Sequence, residues 1–151
     1  MQVVSLSDNV IISNNVIKDG GYGISLLPPT SKVPITDNRI IYHAFIGIQL
    51  QTSSYDVISG NRIENDEGQG IELFLSCNQN SILNNSIINN AEEALLVGGI
   101  TSTEIQLQDI AFLITRSRFD LHTPVQIRLR IITSKRVQWK ESFSNQAMKM
   151  P

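Results

Sequence analysis

Apolar residues alternate with polar ones in short segments along the first hundred residues, and Gly, Asn, Asp and Ser separate these segments. Such segments are typical of strands bounded by turns, and none of them sustains the 3.6-residue period of an amphipathic helix. One arrangement returns four times: an Asn with an Ile three residues before it and an Ile two residues after it. These marker asparagines step by 23, 23 and 24 residues, and they are Asn15, Asn38, Asn61 and Asn85.

A second motif keeps register with the marker asparagines. It reads GISL at 23–26, GIQL at 47–50, GIEL at 70–73 and ALLV at 94–97, and it begins 8 or 9 residues after each marker. Two landmarks that keep both spacings over four copies indicate an internal repeat of about 23 residues. The repeat continues more faintly afterwards, where we expect Gln108 to take the marker position, 23 residues after Asn85.

One coil of a parallel β-helix accounts for this period, because three short strands make one turn and the turns stack at about 4.8 Å. A marker Asn then tolerates the left-handed backbone of a bend and bonds its amide to the next copy. Gly23, Gly47 and Gly70 are expected at a second bend, where a side chain would clash. A β-sandwich of short strands is the alternative, although it does not require a fixed register.

We therefore predict an all-β, single-stranded parallel β-helix over residues 1–100. Residues 101–151 are expected to form degenerate coils and a capping segment of the same continuous domain. Phe119, Trp139 and Phe143 are candidates for plugging the apolar end of the helix. An open coil end exposes unpaired strand edges, so we also expect contact with a second copy or a partner chain there.

The pattern N-x-I, G-I-x-L, N-x-I resembles the right-handed parallel β-helix repeat of pectate-lyase-like proteins, most closely the carbohydrate-binding and sugar-hydrolase β-helix domains. The resemblance covers residues 4–97. It implies a right-handed helix, a polysaccharide or glycan as partner, and an extracellular or cell-envelope location. Members include lyases, hydrolases, epimerases, phage tailspikes and adhesins, so the resemblance implies a fold more narrowly than an activity.

Charge and composition limit the classes of binding partner that the sequence predicts. Residues 1–100 carry four Lys or Arg against ten Asp or Glu, for a local charge of −6, whereas residues 101–151 carry eight against four, for +4. No aromatic and basic interleaving of a nucleic-acid motif accompanies the basic third, so no nucleic-acid partner is predicted. No apolar run reaches the length of a membrane span, and no signal peptide is visible. The single Cys77 is expected to be a small core or edge residue.

Stacked coils bring the outward residues of successive copies into columns. We expect His43 and Asp66 to be neighbours in adjacent coils, with Glu72 nearby, because a carboxylate or a His serves as general acid or base on a sugar. These three are the candidate catalytic residues. The candidate ligand-binding side chains are Gln49, Glu67, Tyr42, Arg39 and Arg62, of which the two arginines suit an anionic sugar.

Two other interpretations of these columns stay open. Polar residues are expected on the outer wall of any β-helix, and acidic residues are common in turns. The carboxylates of Asp66, Glu67 and Glu72 also match the oxygen ligands that Ca²⁺ prefers. No other metal and no organic cofactor is predicted, since the sequence has no zinc spacing, phosphate loop or nucleophile elbow.

The sequence thus favours a non-catalytic β-helix module, structural or carbohydrate-binding, within a larger surface, envelope or phage-like protein. The alternative is a polysaccharide-acting lyase, hydrolase or epimerase with an acidic site on one face of the helix.

Overall fold

The computed structural model describes residues 2–3, 10–98, 105–109, 111–113 and 129–131. Within these ranges the chain forms short strands and no helix. In chain order the strands are β1 (Gln2–Val3), β2 (Ile12–Ser13), β3 (Val16–Gly20), β4 (Ile24–Leu26), β5 (Thr30–Ser31), β6 (Pro34–Thr36), β7 (Arg39–His43), β8 (Ile48–Gln51), β9 (Ser53–Ser54), β10 (Val57–Ser59), β11 (Arg62–Glu64), β12 (Ile71–Phe74), β13 (Ser81–Leu83), β14 (Ser86–Ile88), β15 (Leu95–Val97), β16 (Gln106–Gln108), β17 (Ala111–Leu113) and β18 (Leu129–Ile131).

The strands assemble into three parallel sheets and a two-stranded ribbon. Sheet 1 has the order β2-β6-β10-β13-β16, sheet 2 the order β3-β7-β11-β14-β17, and sheet 3 the order β1-β4-β8-β12-β15-β18, while β5 pairs with β9. Each coil contributes one strand to each sheet, and successive coils are neighbours. This confirms the predicted parallel β-helix with coils of about 23 residues. It excludes the sandwich, whose sheets are antiparallel.

The core is a set of inward stacks that run along the helix axis. In sheet 1, Ile12, Ile35, Ile58 and Ile82 pair in register and are at most 1% exposed. In sheet 3, Ile24, Ile48, Ile71 and Leu95 pair in the same way and are fully buried. Each such side chain contributes about 1.5–3 kcal/mol of burial, and the neighbouring coils supply the apolar surroundings that one coil lacks.

Three corners join the sheets. The first corner lies between sheets 1 and 2, the second between sheets 2 and 3, and the third between sheets 3 and 1. At the first and second corners one residue per coil has positive φ, and at the third corner as many as two residues per coil do. These residues are Asn14, Asp37, Gly60, Asn84 and Asp109 at the first corner, Asp19, Tyr42, Asn65 and Asn89 at the second, and Lys32, Thr52, Tyr55, Leu75 and Gln79 at the third.

The expectation that the marker asparagines themselves take the left-handed conformation is wrong. The positive φ falls on the residue directly before each marker, for example 55° at Asp37, which precedes Asn38. This residue makes the bend, and the side chain that follows it then points into the corner, where its oxygen reaches the coil before.

The later strands depart from the 23-residue register. Gln108 pairs with Leu83 and not with Asn85, so the marker position expected there is wrong by two residues. Strand β17 extends sheet 2, and β18 pairs with β15 in sheet 3. The expected plug residues Phe119, Trp139 and Phe143 lie outside the described residues.

Candidate functional site

The marker asparagines form a hydrogen-bonded ladder at the first corner. The backbone N–H of Asn38 donates to Asn61 Oδ1 at 3.0 Å, and Asn38 Nδ2 donates to the same oxygen at 3.0 Å and to Ile12 O at 2.9 Å. The same two contacts to Oδ1 link Asn15 to Asn38 and Asn61 to Asn85. The ladder satisfies backbone groups that the bend removes from the sheets, so these residues have a structural role.

His43 and Asp66 occupy the equivalent place at the second corner. The backbone N–H of His43 donates to Asp66 Oδ1 at 2.8 Å, and His43 Nδ1 lies 2.8 Å from the same oxygen. In turn the backbone N–H of Asp66 donates to Asn90 Oδ1 at 2.8 Å. We assign a proton to Nδ1, since the carboxylate accepts. The two side chains are neighbours in adjacent coils, as the repeat predicts.

Their outward placement is wrong, because both side chains point into the helix. His43 is 1% exposed and Asp66 is 2% exposed. His43 Nε2, Asp66 Oδ2 and Asn90 Nδ2 are also buried, without a hydrogen-bond partner among the described residues. A general acid or base must reach a substrate proton within hydrogen-bond distance or through one water. This pair does not contact the solvent on the outer wall.

The glycines of the GIxL motif make room for these inward side chains. A Cβ on Gly47 would lie 2.7 Å from Asp66 Oδ2 and 2.4 Å from Ile63 Cγ2. A Cβ on Gly70 would lie 2.8 Å from Asn90 Nδ2. Neither glycine needs a positive φ, so the requirement is for space, as the sequence predicts for this bend.

The third corner holds a polar column that sequence reasoning missed. The backbone N–H of Val33 donates to Asp56 Oδ1 at 2.9 Å, and the backbone N–H of Asp56 donates to Asn80 Oδ1 at 2.8 Å. Asp56 is completely buried and Ser53 Oγ lies 2.5 Å from Asp56 Oδ2. The 24-residue step from Asp56 to Asn80 matches the repeat and was the available signal.

Glu72 lies on the outer wall, apart from the buried pair. Its column in sheet 3 runs Ser25, Gln49, Glu72 and Leu96. Ser25 Oγ donates to Gln49 Oε1 at 3.2 Å, and Gln49 Nε2 donates to Glu72 Oε2 at 2.8 Å. Gln49 and Glu72 therefore form a half-exposed polar pair on sheet 3, in which Glu72 contacts an amide and, among the described residues, no acid or base.

Arg39 and Arg62 form one column on the outer face of sheet 2, and both bind Glu64. Arg39 Nε and Nη2 each lie 2.9 Å from Glu64 Oε1, and Arg62 Nη2 lies 2.7 Å from Glu64 Oε2. Burial, the largest single effect, raises the pKa of Glu64, but the hydrogen bonds and charges of Arg62 and Arg39 together outweigh it and hold that pKa below its ordinary value. The arginines already have an anionic partner, which sequence reasoning missed.

The outer side of the second corner carries exposed aromatic rings. Tyr42 is 58% exposed, Phe45 is 54% exposed and Tyr22 is 40% exposed. The ring centroids of Tyr22 and Phe45 lie 5.2 Å apart at an interplanar angle of 43°. We call these three residues the aromatic corner. The sequence pointed only to Tyr42, although the 23-residue step from Tyr22 to Phe45 was a signal for the other two.

Acidic and amide side chains continue the outer side of this corner in the next coils. Glu67 is exposed, and Gln69 Nε2 donates to carboxylate oxygens of Glu92 and Glu93. None of these three glutamates takes part in an ion pair within the described residues. The corner thus runs from aromatic to acidic along the helix axis.

The proposed Ca²⁺ ligands do not converge. Asp66 points inward while Glu67 is exposed and Glu72 lies in sheet 3, bound to Gln49. Among the described residues no group of three His, Cys, Asp or Glu side chains is placed to hold a metal ion.

Within the part of the chain that the structure describes, no helix is long and apolar enough to cross a membrane.

Comparison with known proteins identifies the fold family. Neither a curated protein nor a solved structure matches the chain. The family model described as "right handed beta helix region" matches residues 2–110, which include nearly all the described strands. Together with the three stacked parallel sheets, this match establishes that the chain belongs to the right-handed β-helix family.

Proposed function

We propose that this chain is a non-catalytic β-helix module that binds a carbohydrate chain on its outer wall at the aromatic corner. The observation that carries the proposal is the division of the candidate residues between two environments. His43 and Asp66 are buried in a structural contact, whereas Tyr22, Tyr42 and Phe45 are exposed on the opposite side of the same corner.

The aromatic corner has the chemistry of a sugar-binding surface. Exposed Tyr and Phe rings offer rigid apolar faces for the C–H faces of a sugar ring, and Tyr adds a hydroxyl for hydrogen bonds. The rings lie in two adjacent coils, so a sugar chain that follows the helix axis meets one ring after another. Glu67 and Gln69 in the next coil supply polar partners for further sugar hydroxyls.

The surrounding charges favour a neutral sugar chain. The two arginines that suit an anionic sugar are held by Glu64 on sheet 2. Beside the aromatic corner lie Glu67 and, one coil further, Glu92, and residues 1–100 carry a local charge of −6. These carboxylates repel a uronate or sulfate, whereas they accept hydrogen bonds from neutral hydroxyls.

The arrangement of the acidic groups supports binding without turnover. Glycoside hydrolysis uses two carboxyl groups on either side of the scissile bond, one of them as a proton donor. Asp66, the partner that the sequence offered to Glu72, is enclosed within the coil. A repetitive module of this kind suits a larger surface, envelope or phage-like protein, and we propose that setting for it.

Binding is tested with a panel of soluble neutral and acidic polysaccharides in isothermal titration calorimetry, with Tyr42→Ala as the variant. Tyr55→Ala is the matched control, because Tyr55 is 56% exposed and has φ of 63°, against 58% and 62° for Tyr42, but lies at the third corner. Both variants therefore carry the same backbone strain.

We expect Tyr42→Ala and Phe45→Ala to weaken binding of a neutral polysaccharide at least about tenfold, or about 1.4 kcal/mol, and Tyr55→Ala to leave it unchanged. Equal losses in the Tyr42 and Tyr55 variants would disprove the assigned surface. Release of reducing ends or of unsaturated products by the wild-type protein, abolished by Glu72→Gln, would establish the catalytic alternative instead.

A further inference from the structure

Among the described residues, Asp56 is a buried carboxyl group that has no cationic partner. It lies at the third corner, is 0% exposed, and takes part in no ion pair within the described residues. Its Oδ1 accepts the backbone N–H of Val33 at 2.9 Å, and its Oδ2 lies 2.5 Å from Ser53 Oγ. An isolated carboxylate in such a place is costly, and the usual outcome is that the group becomes neutral.

The hydrogen bonds around Ser53 require one proton more than the hydroxyl groups supply. Thr30 Oγ1 donates to Ser53 Oγ at 2.9 Å. Ser53 Oγ also lies 3.0 Å from Thr30 O and 2.5 Å from Asp56 Oδ2, and both of these are acceptors when Asp56 is ionised. A hydroxyl has one proton and therefore satisfies only one of them.

A proton on Asp56 Oδ2 satisfies every contact. Oδ2–H then donates to Ser53 Oγ, Ser53 Oγ–H donates to Thr30 O, and Ser53 Oγ accepts from both neighbours through its two lone pairs. The separation of 2.5 Å is at the short end of the range for O–H···O bonds. We propose that Asp56 is a neutral carboxylic acid in the folded protein, and that its ionisation as the pH rises is a switch that loosens the third corner.

The groups that surround Asp56 include a second titratable side chain, the thiol of Cys77, but, within the described part of the chain, no charged side chain that contacts the carboxyl group. The stacked coil above places the thiol of Cys77 in this corner; it is completely buried, and its Sγ lies 3.4 Å from Leu50 O. Burial, the largest effect, raises the pKa of Cys77, and the negative charge of Asp56 raises it further once that carboxyl group is ionised. The remaining contacts of Asp56 are uncharged: the Ser53 hydroxyl, the Val33 N–H and the Asn80 amide oxygen.

Burial raises the pKa of Asp56 above its ordinary value and outweighs the hydrogen bonds that the ionised carboxylate would accept from Ser53 and Val33, which lower that pKa. The folded state then keeps a proton that the unfolded state has lost. Stability is full below the ordinary Asp pKa of about 3.9 and falls as pH rises from there to the folded-state pKa. Within that interval one proton changes the unfolding equilibrium constant by about tenfold per pH unit.

The test is urea unfolding of the wild-type protein and Asp56→Asn between about pH 4 and about pH 9. The amide of Asn is a permanent mimic of the neutral acid, because Oδ1 still accepts from Val33 and Nδ2 donates to Ser53. The matched control is Asp19→Asn, which neutralises an exposed aspartate that is also part of a corner.

We expect the unfolding constant of the wild-type protein to rise with pH relative to Asp56→Asn, by about tenfold per unit until the folded-state pKa is reached, and that of Asp19→Asn to follow the wild type. A pH-independent difference between the wild type and Asp56→Asn would overturn the proposal. If Asp56→Asn does not fold, ¹³C NMR of labelled aspartate carboxyl groups in the wild-type protein tests the protonation state of Asp56 directly. One buried carboxyl should stay protonated after the others have ionised, and ionisation of all of them together would overturn the proposal.

Discussion

Asn61 is the position at which the ladder of the first corner is most sensitive to truncation. Its Oδ1 accepts the backbone N–H and the Nδ2 of Asn38, and its own Nδ2 donates to Ile35 O at 2.8 Å and to Asn85 Oδ1 at 3.0 Å. The side chain is 1% exposed, so water does not replace these contacts. We predict that Asn61→Ala is among the most destabilising single substitutions in the chain.

The magnitude follows from the contacts that are lost. The buried N–H of Asn38 loses its acceptor, which costs about 1–3 kcal/mol. The three further bonds of the Asn61 side chain contribute about 0.5–1.5 kcal/mol each. The expected loss of unfolding free energy is therefore about 2.5–7.5 kcal/mol, a large share of the 5–15 kcal/mol that is typical of a domain.

Asn15→Ala is the matched control, because Asn15 is the first asparagine of the ladder and is exposed. Its Nδ2 donates to Ser13 O and Asn38 Oδ1, and among the described residues no backbone N–H donates to its Oδ1. We expect a loss of about 1 kcal/mol there. Urea unfolding followed by circular dichroism measures both variants. Losses for Asn61→Ala and Asn15→Ala that agree within about 0.5 kcal/mol would refute the assignment of the ladder as a main stabilising element.

Two further outcomes test the packing and the charges. Gly47→Ala should lower the unfolding free energy by about 1–3 kcal/mol or more in urea unfolding, because its Cβ would lie 2.4 Å from a buried Ile methyl group. Gly98→Ala is the control and should change it by less than about 0.5 kcal/mol, because its Cβ would lie 3.9 Å from its nearest neighbour. Equal effects of the two substitutions would contradict the close approach at Gly47. Glu64→Gln should make the unfolding free energy fall less steeply as the pH is lowered. The lowered pKa of the Glu64 carboxyl contributes stability that is present above the unfolded-state pKa of about 4.3 and is lost as the pH falls through the folded-state pKa. Acid titrations of the wild type and Glu64→Gln that run parallel would show that the two arginines do not stabilise the carboxylate.

The cluster of Glu64 with Arg39 and Arg62 illustrates how the burial of a charged side chain depends on residues far away in the sequence. Glu64 reads as an ordinary polar residue at the end of a strand, yet its side chain is only 6% exposed because Arg39 from the coil before and Arg62 cover it. Its contact with Arg39 spans 25 residues, and only the stacking of the coils brings the two together. The spacing of arginines alone therefore pointed to a free anion-binding pair.

What the sequence by itself determined is the stacking. A step of 23 or 24 residues between like positions puts Ile on Ile and Asn on Asn, because each coil pairs only with its neighbours, and the same step predicted that His43 and Asp66 are adjacent. What only the tertiary structure decided is the side of the wall that each corner residue faces. Alternation from the inward Ile40 along β7 places His43 outside, but the left-handed Tyr42, with φ of 62°, shifts the phase and turns His43 into the core. That shift depends on how the backbone closes each corner against the next coil, and the local pattern of residues does not record it.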